Sequence, residues 1–83
     1  MNCSKIEKIL ERFPEDEILK VDGFDAAIIG IEINTMRLIY SSSRCIEILC
    51  QQMNHEESVE FFNFNVLGAY VGELTPIFCE DNL

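Results

Sequence analysis

Few side chains in this sequence could do chemistry, and their spacing decides how much. His55 is the single histidine and stands beside Glu56 and Glu57. No Ser or Cys can be matched to it by spacing as a nucleophile with a base and an orienting group, so a catalytic triad has no support. A solvated residue in a turn between two helices is the plainer reading of His55. Cys3, Cys45, Cys50 and Cys79 form neither a Cys-x-x-Cys pair nor a Cys/His zinc spacing. The opening Met1-Asn2-Cys3-Ser4-Lys5 has no apolar secretory segment, so reduced thiols acting as small core hydrophobes are expected rather than a disulfide framework.

Two loops invite a ligand and fail the test of pattern. Asp22-Gly23-Phe24-Asp25 lacks the alternating oxygen ligands and the distant bidentate Glu of a calcium loop, and reads as a turn. The Gly68 to Gly72 segment lacks the Lys and the glycine spacing of a phosphate cradle. No catalytic residue, metal or cofactor is therefore expected, and the chain reads as a non-enzyme.

A polar set, Asn63, Asn65, Tyr70, Glu73 and Thr75, lies in and just after an aromatic stretch, with Asp22 and Asp25 as possible neighbours in the fold. Polar groups in an apolar surround need hydrogen-bond partners. Bonding within the protein is one way to meet that need. A small-molecule pocket that uses residues 61–75, with Phe61 and Phe64 among its walls, is the other.

Charge gives a second candidate. The formal net charge is −9, and residues 45–83 hold seven acidic residues and no Lys or Arg. Direct binding to nucleic acid is excluded on these grounds, because neutralising phosphates takes clustered cations. Glu47, Glu56, Glu57, Glu60 and Glu73 could instead form an acidic face that meets a basic partner by imitating the charge of nucleic acid, or could serve solubility alone.

The elements that position these residues follow from pattern. The chain, 83 residues with 48% hydrophobic content, reads as a single compact domain ending in a frayed acidic tail at 80–83. Ser4-Lys5-Ile6-Glu7 is a capping box opening a helix over 4–13, with Ile6, Ile9, Leu10 and Phe13 inward, stopped by Pro14. A second short helical turn is expected over Glu15 to Leu19. A strand over 26–33 places Ala27, Ile29, Ile31 and Ile33 on the core face, and 37–40 returns antiparallel to it. Gly30, inside the first strand, marks a bulge or a close approach.

Ser41-Ser42-Ser43 offers N-caps for a helix over 43–53 with Cys45, Ile46, Leu49, Cys50 and Met53 as its stripe. Asn54-His55-Glu56-Glu57 caps another over 55–67, with Val59, Phe62 and Val66 inward and Gly68 at its end. Phe61 to Gly72 carries no charge and is the expected core; a strand over 75–79 closes an antiparallel sheet. The fold class is α+β, a small sheet covered on one face by helices. The apolar face of Phe61, Phe62 and Phe64 exceeds what so small a sheet can cover, which predicts a symmetric homodimer. No stretch is long enough to span a membrane.

The pairing of Asp22-Gly23-Phe24-Asp25-Ala26-Ala27-Ile28-Ile29-Gly30 with Asn65-Val66-Leu67-Gly68-Ala69-Tyr70-Val71-Gly72-Glu73-Leu74-Thr75-Pro76-Ile77-Phe78 resembles a family of small uncharacterised proteins encoded by tailed bacteriophages. The resemblance covers about residues 20–79 and implies no activity and no site residue. It implies a setting: the cytoplasm of an infected bacterium, where a small acidic protein acts by binding or inhibiting a host protein, as in host takeover or the blocking of host defence.

Overall fold

The structure, a computed structural model, describes residues 5–13, 18–68 and 72–81. Helix α1 runs over Lys5–Arg12; a single turn of 3-10 helix over Asp25–Ala27 leads into strand β1, Ile28–Glu32. Strand β2, Arg37–Ser41, passes straight into helix α2, Ser42–Leu49. Helix α3, His55–Phe61, continues into a π-helical segment, Phe62–Leu67, and strand β3, Ile77–Cys79, follows. Three helices and a three-stranded sheet make this a small α+β fold. The Ser4 half of the first capping box and most of the short helical turn expected after Pro14 lie outside the described residues.

The sheet has the order β1-β2-β3 and is mixed. β1 and β2 form the expected antiparallel hairpin, but β3 pairs parallel to β2 with Ile39 opposite Ile77 and Ser41 opposite Cys79. The all-antiparallel expectation is thus corrected. The connection through 42–76 is long enough to bring the chain back to the start of β2, which a parallel pair requires. Side chains fasten both ends of that pair. At the entry, Arg37 Nε donates to the Thr75 carbonyl at 2.6 Å, and at the exit the Ser41 hydroxyl donates to Asp81 Oδ1 at 2.7 Å. Glu80 also lies beside α2, at 3.4 Å from the Ser42 hydroxyl. Glu80 and Asp81 thus both bond serines at the start of α2, while residues 82 and 83 of the expected frayed tail 80–83 lie outside the described residues.

The core forms where one face of the sheet meets the helices. Ala27, Ile28, Leu38 and Tyr40 are buried with Cys45 and Leu49 of α2, Phe62 and Val66 of the π-helical segment, and Ile6 and Ile9 of α1. Burying each large side chain of this kind is worth about 1.5–3 kcal/mol. Phe78 joins the Tyr40 ring at 5.5 Å and meets Phe62 edge-on at 5.5 Å, linking the third strand to both layers. Tyr40 is fully buried, and its hydroxyl oxygen accepts the Val21 N–H at 2.8 Å.

The core departs from expectation in three places. β1 carries a bulge: Ile28 pairs with Tyr40 and Gly30 with Ile39, so Ile29 is the extra residue. The bulge brings Ile28 inward and leaves Ile31 packed against the core as expected, whereas Ile33 lies beyond the strand's end at Glu32 and is 75% exposed. It also settles the role of Gly30, around which no atom lies within 4 Å of a would-be Cβ. In the Phe61 to Gly72 stretch only Phe62 and Val66 of the described residues are buried, whereas Phe61, Phe64 and Leu67 are exposed. Leu10, expected inward on α1, is also exposed; Ile6 and Ile9 are buried, and Phe13 just past the helix packs partly against the core.

The helix boundaries are tighter than their patterns. α2 stops at Leu49, leaving Cys50 exposed, so the buried thiol is Cys45. Ser41 is its N-cap, accepting the Arg44 N–H at 3.2 Å. The Asn54–Glu57 capping box on α3 is present in both directions, at 2.8 Å from Glu57 N to Asn54 Oδ1 and 3.3 Å from Asn54 N to Glu57 Oε1.

Candidate functional surface

The residues proposed for binding divide into a group that the fold gathers and a group that it scatters. α3 and the π-helical segment carry Glu57, Glu60, Phe61, Phe64 and Asn65, which with Met53 line one open hollow of about 410 Å³. Helical spacing explains the grouping, since residues three, four and seven apart share a face. Phe62 and Val66 turn into the core from the same segment, so their neighbours Phe61 and Phe64 are driven outward. Phe64 is 80% exposed, Leu67 49% and Phe61 41%. Exposed aromatic area of this kind is unusual on a small soluble domain and marks an interaction surface more often than a scattered leucine does.

Glu56, Glu57 and Glu60 are all exposed, and Glu57 and Glu60 line the hollow beside Phe61 and Phe64. Among the described residues the one salt bridge lies elsewhere, between Lys20 and Asp25 at 3.2 Å. Glu57 differs from the others because its carboxylate is engaged in the α3 cap. Glu47 stands on another surface, sharing a hollow with His55, Val59 and Glu80. Glu73 is exposed in the turn that precedes β3.

The polar half of the aromatic set does not converge. Thr75 serves its own turn: its N–H donates to the Gly72 carbonyl at 3.1 Å and its hydroxyl bonds the same oxygen. Gly72 has φ 111°, a backbone angle that favours glycine, so this tight turn is written in the sequence. Asn63 and Asn65 are exposed and line different hollows on either side of the segment. Tyr70 lies outside the described residues. Asp25 Oδ1 is buried without a hydrogen-bond partner among the described residues, while its other oxygen faces Lys20.

Two carboxylates have ordinary structural work. Glu32 caps the hairpin turn by accepting the Thr35 hydroxyl at 2.8 Å and the Asn34 and Thr35 N–H groups, which hold its pKa below the usual carboxylate value. The Ser41 hydroxyl, followed by that of Ser43, does the same for Asp81. Cys45 is pushed up to about 11, first by burial and then by the charge of Asp81, so at neutral pH it is a thiol and no nucleophile.

Sequence reasoning found the aromatic and acidic residues but missed the second notable hollow. Lys8 and Arg12 of α1 stand over apolar residues of β1, Ile29 and Ile33 among them, in a hollow of about 330 Å³. The signal was present in the i, i+4 spacing of the two cations. No three His, Cys, Asp or Glu side chains among the described residues are placed to hold a metal ion. No described helix is long and apolar enough to cross a membrane. No family model, curated protein or solved structure matches this chain.

Proposed function

We propose that this chain is a non-enzymatic interaction protein, which presents the Phe61–Phe64–Leu67 knob and its rim of Glu56, Glu57 and Glu60 to a basic protein partner. The exposure of Phe64, at 80%, is the observation that carries this reading. An aromatic anchor ringed by polar groups is the arrangement in which a few residues supply most of the affinity, with the ring excluding water and the charges setting approach and orientation. On the resemblance to phage-encoded proteins, the partner would be a bacterial host protein that normally meets nucleic acid. The small-molecule alternative is less well supported, because the polar groups it needs are exposed, spent on a turn, or spread over separate hollows.

The test is affinity capture of host proteins by the wild-type chain, by Phe64→Asp and by Glu56→Lys/Glu60→Lys, at low and high salt. Glu57 is left intact because its loss would weaken the α3 cap. A specific basic partner should be lost with Phe64→Asp, and the double reversal should lower its capture at low salt most. Equal recovery of the partner by all three proteins would remove the knob and its rim from the interaction.

A further inference from the structure

The hollow between α1 and β1 and the knob on the π-helical segment are both apolar at the centre and carry opposite charges at the edge. The hollow has an apolar floor of Ile9, Phe13, Ile29 and Ile33, with Lys8 and Arg12 at its rim. Ile33 is 75% exposed, so this one residue of the lining is as uncovered in the single chain as Phe64 is, whereas Ile9 is buried in the core. Neither Lys8 nor Arg12 has a carboxylate partner among the described residues, whereas Lys20 pairs with Asp25 and Arg37 binds the Thr75 carbonyl. The knob offers the opposite set: Phe61 and Phe64 flanked by Glu57 and Glu60.

The two surfaces belong to opposite edges of the sheet. α1 packs against β1, the π-helical segment packs Phe62 against Phe78 of β3, and β1 and β3 are the outer strands. One chain therefore presents its knob away from its own socket. We propose that the socket formed by Lys8, Arg12 and the exposed edge of β1 receives the Phe64 knob of a second copy of this chain. Such a contact is heterologous, so it propagates head to tail into a ring or an open chain of copies instead of closing as a symmetric dimer. It brings Glu57 and Glu60 to Lys8 and Arg12, which offsets locally the repulsion between two chains of formal net charge −9. Self-assembly and capture of a basic partner would then compete for Phe64, although the assembly itself needs no partner.

The experiment uses the purified chain and two variants in sedimentation velocity, from micromolar to millimolar protein and at low and high salt. Lys8→Glu/Arg12→Glu spoils the socket and keeps the knob; Glu60→Lys/Phe64→Asp spoils the knob and keeps the socket. All four positions are on exposed helical surface, and circular dichroism of each variant verifies folding before it is mixed. The wild type should grow in mean mass beyond a dimer as concentration rises, more at low salt than at high. Each variant alone should remain a monomer, and an equimolar mixture should give a dimer that grows no further, because only one intact knob and one intact socket meet. A monomeric wild type at millimolar concentration, a variant that assembles alone, or a mixture that stays monomeric would overturn the proposal.

Discussion

Replacing Ser41 with alanine should destabilise the protein at a junction where three elements meet. Its hydroxyl accepts the Arg44 N–H at the start of α2 and donates to Asp81 Oδ1 beyond the end of β3, and the residue is fully buried. Loss of a serine N-cap costs about 0.5–2 kcal/mol, and burial places this one in the upper half of that range. For a domain of this size each kcal/mol moves the melting temperature by about 4–8 °C, so a fall of roughly 5–15 °C is expected. Asp81 adds a pH signature. Its pKa is depressed in the folded state, so its contribution is present above the unfolded carboxylate value and is lost as pH falls through the folded one. Urea unfolding of wild type, Ser41→Ala, Asp81→Asn and the double variant at neutral pH should give non-additive losses. Repeated as the pH is lowered through the folded-state pKa of Asp81, the coupling should fade and leave the cap loss alone. Additive losses at neutral pH, or a Ser41→Ala variant as stable as wild type, would refute the idea that one hydroxyl ties α2 to β3.

Other consequences can be checked with the same material. Cys45 should resist alkylation in the folded protein while exposed Cys50 reacts readily, and Cys45→Ser should cost about 1–3 kcal/mol by burying a hydroxyl among apolar neighbours. Met36 sits at φ 60° in the hairpin turn, so Met36→Gly should relieve left-handed strain and raise stability by up to about 1 kcal/mol, read from the urea midpoint. Glu32→Ala should speed hydrogen exchange at the Asn34 and Thr35 amides at neutral pH, and acidification of the wild type through the lowered Glu32 pKa should produce the same change.

Local signals carried much of this fold in the sequence. The Asn54 capping box, the serine cap of α2, the turns at Gly23 and Gly72 and the hairpin all rest on interactions within a few residues, and all are present. The bulge at Ile29 was half legible: Gly30 marked the place, but which residue is extra depends on pairing with β2, so strict alternation put Ile29 inward where the fold puts Ile28, and it ran on to Ile33, beyond the end of the strand. The direction of β3 had no local signature at all, because it is fixed by a partner strand far away in the chain. The core was misplaced for a related reason. Phe61 to Gly72 is rich in apolar residues, yet the π-helical turn gives only Phe62 and Val66 to the interior, and hydrophobic content does not itself say which side faces in. At the candidate surface, helical spacing in the sequence already grouped the exposed aromatic and acidic residues of α3 and its extension, whereas the hollow beneath Lys8 and Arg12 emerged only when α1 and β1 were side by side.

The parallel β2–β3 pair also sets an order in time. The hairpin closes over the short turn 33–36, and α2 and α3 can nucleate from their own caps, but β3 can pair only after the chain has returned across 42–76. Closing a longer loop costs more entropy before any contact repays it, and pairings distant in sequence are correspondingly slow. During synthesis on a ribosome, Tyr40 and Phe62 would emerge well before Phe78, the ring that both of them meet. The nascent chain would therefore pass through a stage with its hairpin and helices formed but the aromatic seam between them open to chaperones, and the arrival of Ile77–Cys79 would close it.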